Sequence, residues 1–229
     1  MKNIIMVRGV SKSFQGKQVL QNVTISFEAG KIHGIIGRNG SGKTVLIKTI
    51  CGLIRPDAGS VTVDGKEIGK DVDFPQNIGV IIEAPGFLPY QSGYKNLYYL
   101  ASLRNVIGKE DIRDAIKTVG LDPDDPKHVG KYSMGMKQRL GLAQAIMEKP
   151  EILILDEVLS VGDAKFRKKS EAKIRSMFDK GITVLFVSHS VDQVLNICNK
   201  AIILDKGRII AQGSAEEICE KYGDMVRQK

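Results

Sequence analysis

The fold is decided by one short stretch, Gly37-Arg38-Asn39-Gly40-Ser41-Gly42-Lys43-Thr44. The stretch fits the pattern GxxxxGK(S/T) and lies between an apolar run that predicts a strand, Lys31 to Ile36, and a segment that predicts a helix, Lys43 to Cys51. In such a loop the glycines let backbone N–H groups face phosphate oxygens, the lysine adds a positive charge and the threonine can bind Mg²⁺. The residues that we predict to bind a nucleotide in this P-loop are Gly37, Asn39, Gly40, Ser41, Gly42, Lys43 and Thr44.

Two acidic residues follow another strong strand signal. Ile152 to Leu155 is an uninterrupted apolar run typical of a buried parallel strand, and Asp156 and Glu157 come directly after it. Alone, such acids are more often helix-capping or surface residues. Beside a P-loop they indicate nucleotide chemistry, because open α/β sheets bind ligands at the carboxyl ends of their strands. We expect Asp156 to hold Mg²⁺ and Glu157 to orient or deprotonate the water that attacks the γ-phosphate.

The order of the remaining elements predicts an α/β fold with a mostly parallel central sheet. Strand signals at Val19 to Phe27 and Ser60 to Val63, with the hairpin dipeptide Asp64-Gly65, indicate an antiparallel β lobe. Helical periodicity from Tyr94 to Val119 indicates a helical insertion. After residue 150 strands alternate with helices, including a helix predicted at Lys165 to Lys180, which completes a mostly parallel sheet.

Composition excludes several classes of protein. The chain has 229 residues, 42% of them hydrophobic, but no apolar stretch near the roughly 20 residues that cross a bilayer and no export signal. Three cysteines at positions 51, 198 and 219 form neither a metal-binding nor a disulfide pattern. The formal charge of +8 would suit phosphates, nucleic acid or an anionic membrane. We expect no nucleic-acid partner, because the basic run Arg167 to Lys173 lacks the interleaved aromatic residues of base-stacking surfaces.

Upstream of the two acids, the segment Tyr132 to Arg139 resembles the signature motif of ABC-family ATPases. Only Ser133 and Gly135 are retained from the usual LSGGQ, which leaves the turnover rate open. The resemblance implies that these two residues, at the start of a helix, bind the γ-phosphate of ATP held by an opposite subunit. It therefore implies a homodimer with ATP and Mg²⁺ as its cofactors.

Four further positions match the family in order along the chain. Phe14 takes the place of the aromatic residue that stacks on adenine, although a lone phenylalanine after a strand is by default a core residue. Glu83 stands where the family has a glutamine that reaches Mg²⁺; its charge could bind the ion or oppose the γ-phosphate, and a surface-loop role stays open. Asp163, in a loop across the dimer interface, and the switch histidine His189 complete the set. The expected catalytic residues are Lys43, Glu157 and His189, and the expected metal ligands are Thr44, Glu83 and Asp156.

The resemblance covers nearly the whole chain and implies one ABC ATPase domain. A RecA-like core with the β lobe is expected over residues 1–87 and 150–229, and a helical subdomain with the signature motif over 88–149. The implied partner is a transmembrane permease, docked near Glu83 to Tyr90 through Phe87, Leu88 and Tyr90. The expected location is the cytoplasmic face of the membrane.

Three functions stay open at this point. Glu157 to Asp163 and Leu204 to Gly207 are similar to ATPases that export polysaccharides such as O-antigen or teichoic acid, which we favour. Glu83 to Phe87 and Tyr132 to Arg139 resemble exporters of lantibiotics or related peptides. A weakly hydrolysing soluble switch is the third.

Overall fold

The computed structural model describes residues 2–83, 86–157 and 181–227. The described strands are β1 (Asn3–Phe14), β2 (Lys17–Glu28), β3 (Ile32–Ile36), β4 (Ala58–Val63), β5 (Lys66–Glu67), β6 (Ile78–Ile81), β7 (Ile152–Asp156), β8 (Thr183–Ser188), β9 (Lys200–Asp205) and β10 (Arg208–Ser214). The described α-helices are α1 (Lys43–Ile50), α2 (Gly93–Arg104), α3 (Lys109–Thr118), α4 (Met134–Ile146), α5 (Val191–Ile197) and α6 (Ala215–Arg227), and a short 3-10 helix spans Val129–Lys131. The helix predicted at Lys165 to Lys180 and the loop that contains Asp163 lie outside the described residues.

The central sheet confirms the predicted α/β class. Its strand order is β10-β9-β3-β8-β7-β6, with β10 antiparallel to β9 and the other neighbours parallel. Alternate residues of β7 enter opposite hydrophobic clusters, Leu155 with α5 and α6 on one face and Ile154 with α1 and the β lobe on the other. Both faces are therefore covered, as a parallel sheet requires. Since the strands are parallel, the loops after β3, β6, β7 and β8 meet along one edge.

The β lobe is an antiparallel sheet of order β2-β1-β4-β5. The predicted hairpin is confirmed: Asp64 and Gly65 have φ of 45° and 78°, the left-handed pair that a tight two-residue turn needs. The sequence implies a strand before Phe14 without giving its bounds, and residues 3–14 form β1. Its buried residues, such as Ile5 and Val7, alternate with solvent-facing ones such as Arg8, so the apolar run is interrupted while one face still packs.

The helical part packs around its own cluster, which includes Leu97, Ile112 and Leu140. The sequence predicts helical structure throughout Tyr94 to Val119, but two helices form there. Asn105 has φ 52° and ends α2 in the left-handed conformation, and α3 begins after residue 108. No helix in the described part of the chain is long and apolar enough to span a membrane.

Candidate functional site

The P-loop connects β3 to α1 in a conformation that two of its positions reserve for glycine. Gly42 caps α1 with φ 104°, and a Cβ atom there would lie 2.9 Å from the Val19 carbonyl oxygen. At Gly37 a Cβ atom would lie 2.2 Å from the Leu204 carbonyl oxygen, far inside contact distance. The loop is thus held close to β2 and β9, and backbone replaces the side chains that would fill this space.

Lys43 lies beneath this loop and is only 6% exposed. Its ammonium group donates hydrogen bonds to the carbonyl oxygens of Gly37, at 2.9 Å, and Arg38, at 3.1 Å. Burial lowers the pKa of Lys43, while the carboxylates of Glu157 and Asp156 act in the opposite direction. An ammonium group has three donors, so one remains for a phosphate oxygen.

Thr44 and Asp156 form the oxygen pair that the sequence predicts for Mg²⁺. The Thr44 hydroxyl donates to Asp156 Oδ2 at 2.9 Å, and Asp156 is 5% exposed. Burial raises the pKa of Asp156, and the Thr44 hydrogen bond partly opposes that rise. Asp156 Oδ1 is buried with no hydrogen-bond partner within the described residues. This buried orphan oxygen fits Mg²⁺, which usually takes one or two protein oxygens and completes its octahedron with water and phosphate.

Glu157 and His189 meet at the carboxyl ends of β7 and β8. The Glu157 backbone has φ 53°, and its N–H donates to the Val187 carbonyl at 3.0 Å. Its carboxylate Oε1 lies 3.5 Å from His189 Nδ1, and both side chains are about half exposed. A carboxylate placed beside the P-loop and open to water can accept a proton from an attacking water molecule.

Glu83 follows β6 into the same cleft, but its side chain points to a partner that sequence reasoning missed. Its Oε1 accepts a hydrogen bond from Lys48 Nζ at 2.8 Å. In the described residues no three His, Cys, Asp or Glu side chains are grouped to hold a metal ion. The metal role of Glu83 therefore stays a prediction. Its spacing, four residues after Thr44 on α1, predicts that Lys48 lies beside Thr44, but it does not predict contact with Glu83.

The cleft has a volume of about 350 Å³. Its lining comprises Val19, Asn39, Gly40, Gly42, Lys43, Thr44, Val45, Glu83, Asp156 and Glu157. A larger groove of about 670 Å³ lies between α3, the β lobe and the amino ends of β7 and β8, and no predicted site residue lines it. We place the chemistry in the smaller cleft because the phosphate loop and the buried carboxylate converge there.

Two predicted elements are not brought into this cleft. Phe14 ends β1, is 44% exposed and lies under the Lys12 ammonium, 5.5 Å from the ring centre. Ser133 caps α4, and its hydroxyl accepts the Met136 N–H at 3.3 Å. Gly135 faces open space, since a Cβ atom there would have no neighbour within 4 Å. The ATP contacts predicted for these residues therefore stay predictions.

Comparison with known proteins identifies the family. The family model described as "ABC transporter" matches residues 20–160, more than half of the chain. The Bacillus subtilis ABC transporter ATP-binding protein YybJ, which is uncharacterized, is 38% identical over 90% of this chain and 94% of its own length. The bacitracin transport ATP-binding protein BcrA of Enterococcus faecalis is 33% identical, covering 95% of this chain and 71% of BcrA. The spermidine/putrescine import ATP-binding protein PotA of Fusobacterium nucleatum is 32% identical, covering 97% of this chain and 60% of PotA.

Solved structures agree on the fold. The ATP-binding cassette MJ1267 of an ABC transporter, in its ADP conformation, has a TM-score of 0.82 and 25% identity, covering 96% of this chain and 94% of its own. The cassette MJ0796, in a dimeric post-hydrolysis state bound to ADP and Pi, has a TM-score of 0.82 and 20% identity, covering 92% of this chain and 98% of its own. The predicted P-loop NTPase fold is confirmed.

Proposed function

This chain belongs to the ABC transporter family, whose ATP-binding domains are ATPases, and from that premise we propose that it powers a separate transmembrane permease by closing onto a second copy of itself around ATP. The observation that carries this proposal is the division of the site. The P-loop, Asp156 and Glu157 line one cleft, whereas Ser133 and Gly135 lie at an exposed helix end away from it. A second copy would supply the missing half.

In the proposed cycle the cleft residues have distinct roles. The P-loop N–H groups and the ammonium of Lys43 bind the phosphates. Thr44 and Asp156 would hold Mg²⁺, and the ion would neutralise charge on the phosphate oxygens. Glu157 accepts the proton of the attacking water, and His189, in contact with Glu157, orients that carboxylate or donates to the γ-phosphate.

Phosphate release by the purified chain tests the enzyme directly. We expect Lys43→Ala to reduce hydrolysis by at least about 100-fold, because it removes a preorganised positive charge from the phosphate site. Lys66→Ala is the matched control, since Lys66 is an exposed lysine in β5 outside the cleft. Equal rates for the two variants would contradict the assignment of the cleft.

Dimer formation is supported by the solved relative MJ0796, which is described as dimeric. In this chain the α4 N-terminus is the surface that would meet the opposite nucleotide. Ser133 already caps its own helix, so the hydroxyl sits beside the free N–H groups of the first turn. A phosphate arriving from the opposite copy would meet a helix N-terminus that favours anions.

The exposure of individual side chains narrows the surface that we propose for the permease. Leu88 and Tyr90 are 40% and 62% exposed, but Phe87 is partly buried against the helical cluster and offers less contact area than the sequence suggests. We propose that Leu88 and Tyr90 contact the permease at the cytoplasmic face.

Cosedimentation with inside-out membrane vesicles, prepared from the cell that makes this protein, tests the surface. The double variant Leu88→Glu with Tyr90→Glu should no longer cosediment with these vesicles, and its ATP binding should be intact. Val226→Glu, an exposed apolar residue in α6, is the control, and unchanged cosedimentation of the double variant would contradict this surface.

For the cargo, we propose export of a peptide antibiotic or lantibiotic. The supporting observations are the resemblance at Glu83 to Phe87 and the relatives named for bacitracin transport. Deleting the gene should then lower the minimal inhibitory concentration of such peptides.

The second candidate is polysaccharide export. It rests on the resemblance at Glu157 to Asp163 and Leu204 to Gly207. Loss of surface polysaccharide after deletion, with unchanged peptide resistance, would favour this candidate over the first.

A further inference from the structure

Lys48 shares one face of α1 with the predicted metal ligand Thr44. The two residues are four positions apart, so their side chains are neighbours on the helix surface. Thr44 bonds Asp156 at 2.9 Å, and Lys48 bonds Glu83 at 2.8 Å. A single helix face therefore holds two carboxylates, one at the end of β7 and one in the segment after β6.

The cleft places like charges close together before any phosphate arrives. Its lining includes the carboxylates of Glu83, Asp156 and Glu157 and the ammonium group of Lys43. Burial is the main cause that raises the pKa of Asp156, and the negative charges of Glu157 and Glu83 raise it further. Lys43 is already bonded to P-loop carbonyl oxygens, so Lys48 is the cation that directly compensates Glu83.

We propose that Lys48 is a positioning residue that holds the Glu83 carboxylate against α1 until Mg²⁺ and ATP occupy the cleft, and that this hold sets how strongly nucleotide binding depends on Mg²⁺. The proposal deepens the proposed function and rests on it. With Lys48 in place, Glu83 is neutralised and does not repel the phosphates. Without Lys48, the Glu83 charge acts on the nucleotide and on the ion.

Exposure makes this ion pair reversible. The side chain of Glu83 is 66% exposed and that of Lys48 is 31% exposed, so water competes for both groups. Glu83 also has φ 61°, a backbone conformation that is uncommon for a residue with a side chain. The pair therefore fixes where the carboxylate rests without locking it there.

Binding of the fluorescent analogue mant-ATP, measured in EDTA and in excess Mg²⁺, tests the proposal without reliance on turnover. The readout is the dissociation constant in EDTA divided by the dissociation constant in excess Mg²⁺. In Lys48→Met the uncompensated carboxylate repels free ATP and attracts the metal complex, so we expect this ratio to rise at least about threefold. Lys48→Arg should keep the wild-type ratio, and so should the exposed-site control Lys66→Met.

The same substitution in a Glu83→Gln background isolates the ion pair. We expect Lys48→Met to leave the ratio unchanged there, because no carboxylate remains to be released. An equal rise in both backgrounds would overturn the proposal, since Lys48 would then act on the nucleotide directly; no rise in either background would overturn it as well. If the wild-type chain does not bind mant-ATP at all, the proposed function itself fails.

Discussion

The P-loop cleft and the N-terminus of α4 present predicted ATP-binding residues in opposite ways. In the cleft, Lys43 and Asp156 are 6% and 5% exposed. The Lys43 ammonium donates to carbonyl oxygens of its own P-loop, and Asp156 accepts from Thr44, 112 positions away in the sequence. At α4, Ser133 bonds only within its own helix turn as described, and Met134 is 58% exposed. One chain thus completes the cleft, while the α4 surface is shaped locally and faces outward.

The two regions also differ in electrostatics, because the cleft buries charged groups and the α4 N-terminus does not. Burial lowers the pKa of Lys43 and raises the pKa of Asp156, so the surroundings of the cleft oppose the charged form of both groups. Groups perturbed in this way cluster at functional sites. At α4 the cap stabilises the helix by itself. A substitution in the cleft should therefore act mainly on ATP hydrolysis. A substitution at the α4 cap should change both the free energy of unfolding and ATP hydrolysis.

The largest expected effect is that of Glu157→Gln in the cleft. It should lower the rate of ATP hydrolysis by at least about 100-fold while ATP still binds, because an amide cannot accept the proton of the attacking water. Phosphate release and mant-ATP titration measure the two properties. Glu151→Gln, at the other end of β7, is the matched control. Hydrolysis that survives Glu157→Gln would remove the general base from the account.

Ser133→Ala tests the α4 side of the comparison. It should lower the free energy of unfolding by about 1 kcal/mol through loss of the cap, and hydrolysis by at least about tenfold through loss of the contact with the opposite nucleotide. Ser92→Ala removes the corresponding cap of α2, where the side chain accepts the Lys95 N–H. Denaturant unfolding should show the same loss in both variants, with hydrolysis reduced only by Ser133→Ala. A parallel loss of activity in Ser92→Ala would make the effect structural.

Phe14→Ala asks whether the cleft extends to the β1–β2 hairpin. Stacking on a base contributes about 1–3 kcal/mol, so the dissociation constant for ATP should rise about tenfold. Phe74→Ala is the control, as Phe74 is 58% exposed and lies outside the cleft. Equal binding by Phe14→Ala and wild type would assign this phenylalanine no part in the site.

The smallest effect concerns the acid sensitivity of β3, the strand that leads into the P-loop. His33 lies in β3, and burial lowers its pKa below the ordinary value of 6.5. The unfolded chain therefore takes up this proton first, and stability is lost as pH falls from about 6.5 through the lower folded value. Between pH 7 and 5, the free energy of unfolding measured with denaturant should decline less steeply with falling pH in His33→Gln than in wild type. His128→Gln, at an exposed position between α3 and α4, should retain the wild-type decline.

The sequence alone could place the site residues that directly follow predicted strands. The P-loop, Asp156 and Glu157 each follow a strongly apolar strand, and parallel strands necessarily bring such ends to one edge. The pairing of Lys48 with Glu83 could not be placed, because it joins residues 35 positions apart through the docking of β6 beside β7. Local spacing contains no information about that docking.

Boundaries that depend on packing also escaped prediction. β1 departs from strict alternation, since Ile4 and Ile5 are adjacent and both buried and its register against β2 shifts at several points. β6 is a four-residue strand with Gly79 inside it, so neither strand produces a strong pattern. The sequence around Phe87 predicts a surface residue, but tertiary packing partly buries its side chain. In each case the deciding contact lies in a distant part of the chain.

The central claim is that ATP joins the cleft of one copy to the α4 surface of another. Size-exclusion chromatography with light scattering of Glu157→Gln tests it most directly, since slowed hydrolysis should trap the closed state. With Mg²⁺ and ATP, the account predicts a species at twice the monomer mass of 25.1 kDa, which disappears when Ser133→Ala is added. A variant that binds Mg²⁺ and ATP yet stays at the monomer mass would contradict it.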